Sequence, residues 1–90
     1  MEQVHRHIDE HFERYLSAVG DLIRQPSISA TGEGVRECAG LLGGMMTSAG
    51  IRTEILETGG NPVVYGEIPS GRKDGKTVLF YGHYDVQPPE

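Results

Sequence analysis

The 90-residue chain has one cysteine, Cys38. No disulfide can form within it, and such usage fits a reducing compartment. Positive charge is equally thin. The net charge is −5, and the densest basic group, Arg72, Lys73 and Lys76, is interrupted by Asp74. A solvated turn is the natural reading there, and without a basic patch neither nucleic acid nor an anionic membrane is expected as a partner. No apolar run approaches the ~18 residues needed to span a bilayer. The opening Met1-Glu2-Gln3-Val4-His5-Arg6-His7 lacks the apolar core of a secretory signal. The expected location is cytoplasmic. Several catalytic signatures are missing too. Neither Gly32-Glu33-Gly34 nor Gly43-Gly44 leads into the lysine and hydroxyl residue of a phosphate loop. His7 is followed by Ile8, so the helical zinc motif with a glutamate after its first histidine is absent. Ser27 and Ser29 have no histidine base at a diagnostic spacing, which favours capping and turn roles over nucleophilic ones.

What remains is an ordinary globular composition, 37% hydrophobic and 23% charged, in a chain long enough for one small domain. Over residues 3–24 the apolar residues Val4, Ile8, Phe12, Leu16, Val19 and Ile23 recur every three to four positions. That spacing predicts one amphipathic helix of about 22 residues, ended by Gln25 before Pro26. His7 and His11 stand four apart on it and could share a metal. Glu2, Arg6, Glu10, Glu13 and Arg14 around them favour an exposed polar face instead. A linker of small and turn-forming residues covers 26–34. A second helix is expected from Glu33 or Gly34 to Ser48, with Val35, Cys38, Ala39, Leu42, Met45, Met46 and Ala49 as its apolar stripe. Gly50 stands where a left-handed cap belongs. Cys38 reads there as a small core residue, and Gly40, Gly43 and Gly44 call for close packing to offset their helix penalty.

Three strands follow. Residues 51–58 alternate, residues 62–68 form a second strand after the turn Gly59-Gly60-Asn61-Pro62, and a polar loop leads into 77–82. The short connection predicts that 63–68 and 77–82 pair as an antiparallel hairpin. The run Val78-Leu79-Phe80-Tyr81 reads as a strand buried on both faces.

The densest chemistry stands at the end of that run, in Gly82-His83-Tyr84-Asp85-Val86-Gln87-Pro88. In an extended segment His83 and Asp85 point the same way, so the carboxylate can orient the imidazole and raise its basicity as a metal ligand. A bare His-x-Asp is most often a surface histidine beside a solvated acid. The longer string, directly after an apolar strand, resembles the first metal-site motif of the co-catalytic di-zinc metallopeptidases. This family includes carnosinases, glutamate carboxypeptidase, aminoacylase and succinyl-diaminopimelate desuccinylase. Tyr84 and Gln87 are most similar to the carnosinase-like dipeptidase branch. Pro26-Ser27-Ile28-Ser29 looks like the segment after that family's first helix.

The resemblance implies an α/β fold: the start of an α/β sandwich catalytic domain, with two helices followed by three strands of a mixed sheet. Residues 1–90 match only its opening part. It also implies two divalent metal ions, zinc by expectation, with His83 as one ligand and Asp85 as the catalytic-site acid positioning it. The substrate would be a dipeptide or other small amide bearing a carboxylate. The family's bridging aspartate, adjacent glutamate pair and later ligands have no counterpart in these residues, and Glu90, after two prolines, is not assigned as general base. Hydrolysis is therefore expected of a longer chain and not of these 90 residues alone. Two other readings stay open. One is a non-catalytic remnant that binds a partner or self-associates into a homo-oligomer through an exposed sheet edge. The other is a small metal-binding module using His5, His7, His11 and His83.

Overall fold

A computed structural model describes residues 1–89. The N-terminal amphipathic stretch forms two helices in line, α1 (Glu2–Glu10) and α2 (Phe12–Arg24), where the spacing predicts one. His11 is the break, at φ −113° and ψ 11°. Its side-chain Nδ1 donates to the His7 carbonyl at 2.8 Å, while its backbone N–H is shared between the His7 and Ile8 carbonyls, 3.2 Å from each. The His7 carbonyl thus serves both the ring and the backbone N–H of His11. The ladder resumes at once, with the Tyr15 N–H on the His11 carbonyl at 3.0 Å. α2 ends as the sequence predicts: Gln25, next to Pro26, is extended at φ −77° and ψ 119°.

α3 (Val35–Ser48) is the central helix. Its C-terminus closes with the Gly50 N–H on the Thr47 carbonyl and the Ile51 N–H on the Met46 carbonyl, both at 3.0 Å. Gly50 takes φ +86°, so the left-handed cap expected there is present and satisfies two orphan carbonyls. Val35, Cys38, Ala39 and Gly43 are buried, and with Ser27 and Pro62 they form the small core. Cys38 is free and buried, a core residue as its position implies.

β1 (Arg52–Leu56) and β2 (Val63–Glu67) form a two-stranded antiparallel sheet, in register from Arg52 opposite Glu67 to Leu56 opposite Val63. α3 packs on it closely at two glycines. A Cβ at Gly43 would lie 3.4 Å from Ile55 Cδ1, and one at Gly66 would collide with Met46 Cε. Gly40 and Gly44 face open space, so only one of the three helix glycines has the packing role expected of them.

The described residues thus form a small mixed α/β fold with three helices and two antiparallel strands. Two expectations are corrected. β2 pairs with β1 across the short turn at 59–62, and its second edge is not taken by 77–82, which would have to close the longer loop 69–76. Residues 77–82 form no strand. Val78, Leu79, Phe80 and Tyr81 are 75%, 84%, 91% and 92% exposed rather than buried on both faces. A run of this kind needs sheet neighbours and a covering layer on each side, and no described element supplies them.

The joint between the linker and α3 is tight. Gly34 sits at φ +73°, where a Cβ would strike the Pro26 carbonyl, whereas Gly32, at φ +79°, faces open space. Gly32→Ala should cost about 1–2 kcal/mol for the left-handed backbone alone. Gly34→Ala should cost about 3 kcal/mol or more, because a steric collision is added. Urea denaturation of the two variants compares them directly, and equal losses would contradict this packing.

Candidate functional site

The site is built where the two segments singled out in the sequence, 26–29 and 82–88, meet. The linker folds back on itself, with the Ile28 N–H on the Glu33 carbonyl at 2.9 Å and the Gly32 N–H on the Ile28 carbonyl at 2.8 Å. The C-terminal segment then lies alongside it, with the Val86 N–H donating to the Ser27 carbonyl at 2.8 Å and Ile28 bridging Val86 in parallel. Tyr84 ties the same segment to the body of the fold. Its phenol donates to the Pro62 carbonyl, and its own carbonyl accepts from Cys38 Sγ at 3.9 Å. Burial raises the Tyr84 phenol above its ordinary pKa, and the neighbouring Cys38 and Asp85 push it the same way.

With its neighbours fixed, His83 turns outward and Asp85 stays half-buried. His83 Nδ1 lies 3.1 Å from Asp85 Oδ1 and 3.1 Å from the Asp85 carbonyl oxygen. The imidazole side chain is 74% exposed against 39% for the carboxylate. Both neighbours of Nδ1 are acceptors, so Nδ1 donates and the lone pair falls on Nε2. Nε2 has no hydrogen-bond partner among the described residues. The Ser29 side chain is the main cause holding the Asp85 carboxyl below the usual carboxylate range, with smaller help from its own backbone and from His83. His83 and Asp85 border two open clefts of about 750 Å³ each, one towards Ile23, Ser27 and Val86, the other towards Pro62 and Val63.

This arrangement suits one corner of a metal site. An imidazole with Nδ1 engaged by a carboxylate and Nε2 free is the usual form of a histidine ligand. The donor set stops there. Among the described residues no group of three or more His, Cys, Asp or Glu side chains is placed to hold an ion, and a hydrolytic centre needs three or four protein ligands. Glu90 lies outside the described residues. His5, His7, His11 and His83 do not form such a group. The His7 and His11 rings stack at 4.2 Å, but His7 Nε2 is 2.7 Å from the Tyr15 hydroxyl and His11 Nδ1 is spent on its own helix.

Two contributors are not evident from the sequence pattern. Ser29, which reads as a turn residue, is the main influence lowering the Asp85 pKa. Tyr84, which reads as a branch marker, is the anchor. The only sequence signal for Ser29 is the likeness of Pro26-Ser27-Ile28-Ser29 to a family segment, which says nothing about Asp85. Ser27 is 3% exposed, and its hydroxyl has no partner among the described residues. No protein-family model, curated protein or solved structure matches the chain. No helix among the described residues is long and apolar enough to cross a membrane.

Because the folded-state pKa of Asp85 is lowered, the ionised group adds stability above the ordinary carboxylate pKa. That stability is lost as pH falls through the folded value. Ser29→Ala should move the Asp85 titration upward, which reduces the stability this group adds and completes its acid loss at higher pH. Ser27→Ala should leave the titration in place. An NMR pH titration of the Asp85 carboxyl carbon reads both, and an unchanged pKa in Ser29→Ala would contradict the assignment.

Proposed function

We propose that the chain is the opening portion of a di-zinc metallopeptidase of the carnosinase-like dipeptidase type. Its work would be hydrolysis of dipeptides or similar small amides bearing a carboxylate, carried out by a longer polypeptide. The observation that carries this reading is the His83–Asp85 pair, 3.1 Å apart, with the ring exposed at the end of Gly82-His83-Tyr84-Asp85-Val86-Gln87-Pro88. The meeting of that motif with Pro26-Ser27-Ile28-Ser29 supports it, because two separate stretches of family likeness lie side by side, joined by the Val86 N–H on the Ser27 carbonyl.

The roles follow from the geometry. His83 would hold one ion through Nε2. Asp85 accepts the Nδ1 proton, fixes the tautomer and makes the ring a better donor. Ser29 keeps Asp85 ionised down to lower pH, so the positioning hydrogen bond survives acidification. Two bound zinc ions supply an activated water and a polarised scissile carbonyl. The remaining ligands and the general base belong to the longer chain. So does the finer architecture, an α/β sandwich whose mixed sheet takes residues 77–82 as its third strand. The exposed side chains of 78–81 are the surface such a sheet and its helices would cover. A cytoplasmic location goes with this reading, and the free Cys38 is compatible with it.

A second reading is favoured by one observation, the single metal-ligand candidate in a region where a hydrolase needs several. It makes the 90-residue chain a non-catalytic fragment. The two separate on activity. The complete enzyme should cleave dipeptides with added zinc and these 90 residues alone should not. In the complete enzyme His83→Ala should abolish turnover, and Asp85→Asn should weaken metal affinity or activity by about 10–100-fold. Near-wild-type turnover in His83→Ala would overturn the proposal.

A further inference from the structure

His7, His11 and Tyr15 stand four residues apart in succession, which puts them on one stripe along α1 and α2. The Tyr15 N–H on the His11 carbonyl keeps the ladder, and with it the stripe, running past the break at His11. The three rings are gathered. Their centroids are 4.2 Å apart for His7 and His11, 6.0 Å for His11 and Tyr15, and 6.2 Å for His7 and Tyr15. His7 Nε2 lies 2.7 Å from the Tyr15 hydroxyl. Two donors at right angles on one ion, each about 2.0 Å from it, stand about 2.8 Å apart. That pair is therefore already spaced as neighbouring ligands. His11 donates from Nδ1 to the His7 carbonyl, so its lone pair is on Nε2. This nitrogen has no partner among the described residues.

We propose that His7, His11 and Tyr15 form a binding site for one divalent transition-metal ion, with two imidazole nitrogens and one phenolate oxygen as donors. The third donor is a phenolate, so the set does not need a group of three His, Cys, Asp or Glu side chains, which is absent among the described residues. On binding, the metal–oxygen bond replaces the O–H bond of Tyr15, and the proton leaves to solvent. Arg14, 5.6 Å from the Tyr15 ring centroid, brings a positive charge beside the phenolate. His7 and Tyr15 are exposed and His11 is half-buried, so an ion enters freely and water completes its coordination. Nitrogen and oxygen donors at right angles suit tetragonal copper(II) or nickel(II), and copper(II) binds such sets most tightly among the divalent ions. The ion joins α1 to α2 across His11. His83 and Asp85 take no part, and the proposal does not depend on the peptidase reading.

Copper(II) chloride titrated into the 90-residue chain tests it, followed by calorimetry, visible absorption and electron paramagnetic resonance. One equivalent should bind, with a phenolate-to-copper charge-transfer band and nitrogen splitting from two imidazoles. Tyr15→Phe should abolish the band, and His7→Gln should abolish the one-equivalent binding. His5→Gln should change neither. In His83→Ala, which removes the other candidate imidazole ligand, the band should persist. Failure to bind copper overturns the proposal. So does a band that survives Tyr15→Phe or disappears in His83→Ala, or one-equivalent binding unmoved by His7→Gln. Tyr15→Phe changes a single hydroxyl, so it decides even if His7→Gln disturbs α1.

Discussion

The fold and the site both depend on how residues 84–86 are fastened to the linker and to α3. Tyr84 hands its hydroxyl to the Pro62 carbonyl just before β2, and its carbonyl accepts from Cys38 in the first turn of α3. Val86 bonds the linker at Ser27. Between Glu67 and these contacts the chain has no regular structure and little burial. This fastening is therefore what returns the C-terminal segment to the body. It also sets the chemistry, since a residue between two anchored neighbours has little freedom. Asp85 is held within reach of Ser29, and His83, just before the anchor, is left pointing to solvent with its Nδ1 over Asp85.

The electrostatics of the pair follow from that placement. The Ser29 side chain favours the ionised Asp85 carboxyl, and the ionised carboxylate selects which imidazole nitrogen carries the proton. Each partner is exposed enough that direct charge attraction is screened by water. Orientation, not binding strength, is what the pair contributes. A ligand histidine needs that property before the rest of a coordination sphere is assembled around it.

Local signals in the chain were legible where one residue decides the backbone. Pro26 ends α2 through Gln25, Gly50 caps α3, and the alternating runs become β1 and β2. Cys38 is in the core because its helical position says so. Choices made by tertiary context were not legible. Nothing in the stripe from Val4 to Ile23 signals that His11 will spend its ring on the His7 carbonyl where α1 gives way to α2. Pattern alone did not show that only one edge of β2 would be paired among the described residues. Residues 77–82 have the composition of a buried strand, but burial depends on neighbours that no local pattern supplies. At the site, the His83–Asp85 contact follows from the two-residue period of extended chain. The effect of Ser29 on Asp85 is tertiary and has no spacing rule behind it.

Asp85 accepts from His83 Nδ1, which leaves Nε2 without a partner among the described residues. The direct measurement is the tautomer of His83, read from the ring nitrogen shifts in a long-range proton–nitrogen NMR spectrum at neutral pH. The Nδ1–H form is expected, converting to the ordinary mixture in Asp85→Asn. A ring protonated at Nε2 in the unsubstituted chain would contradict it.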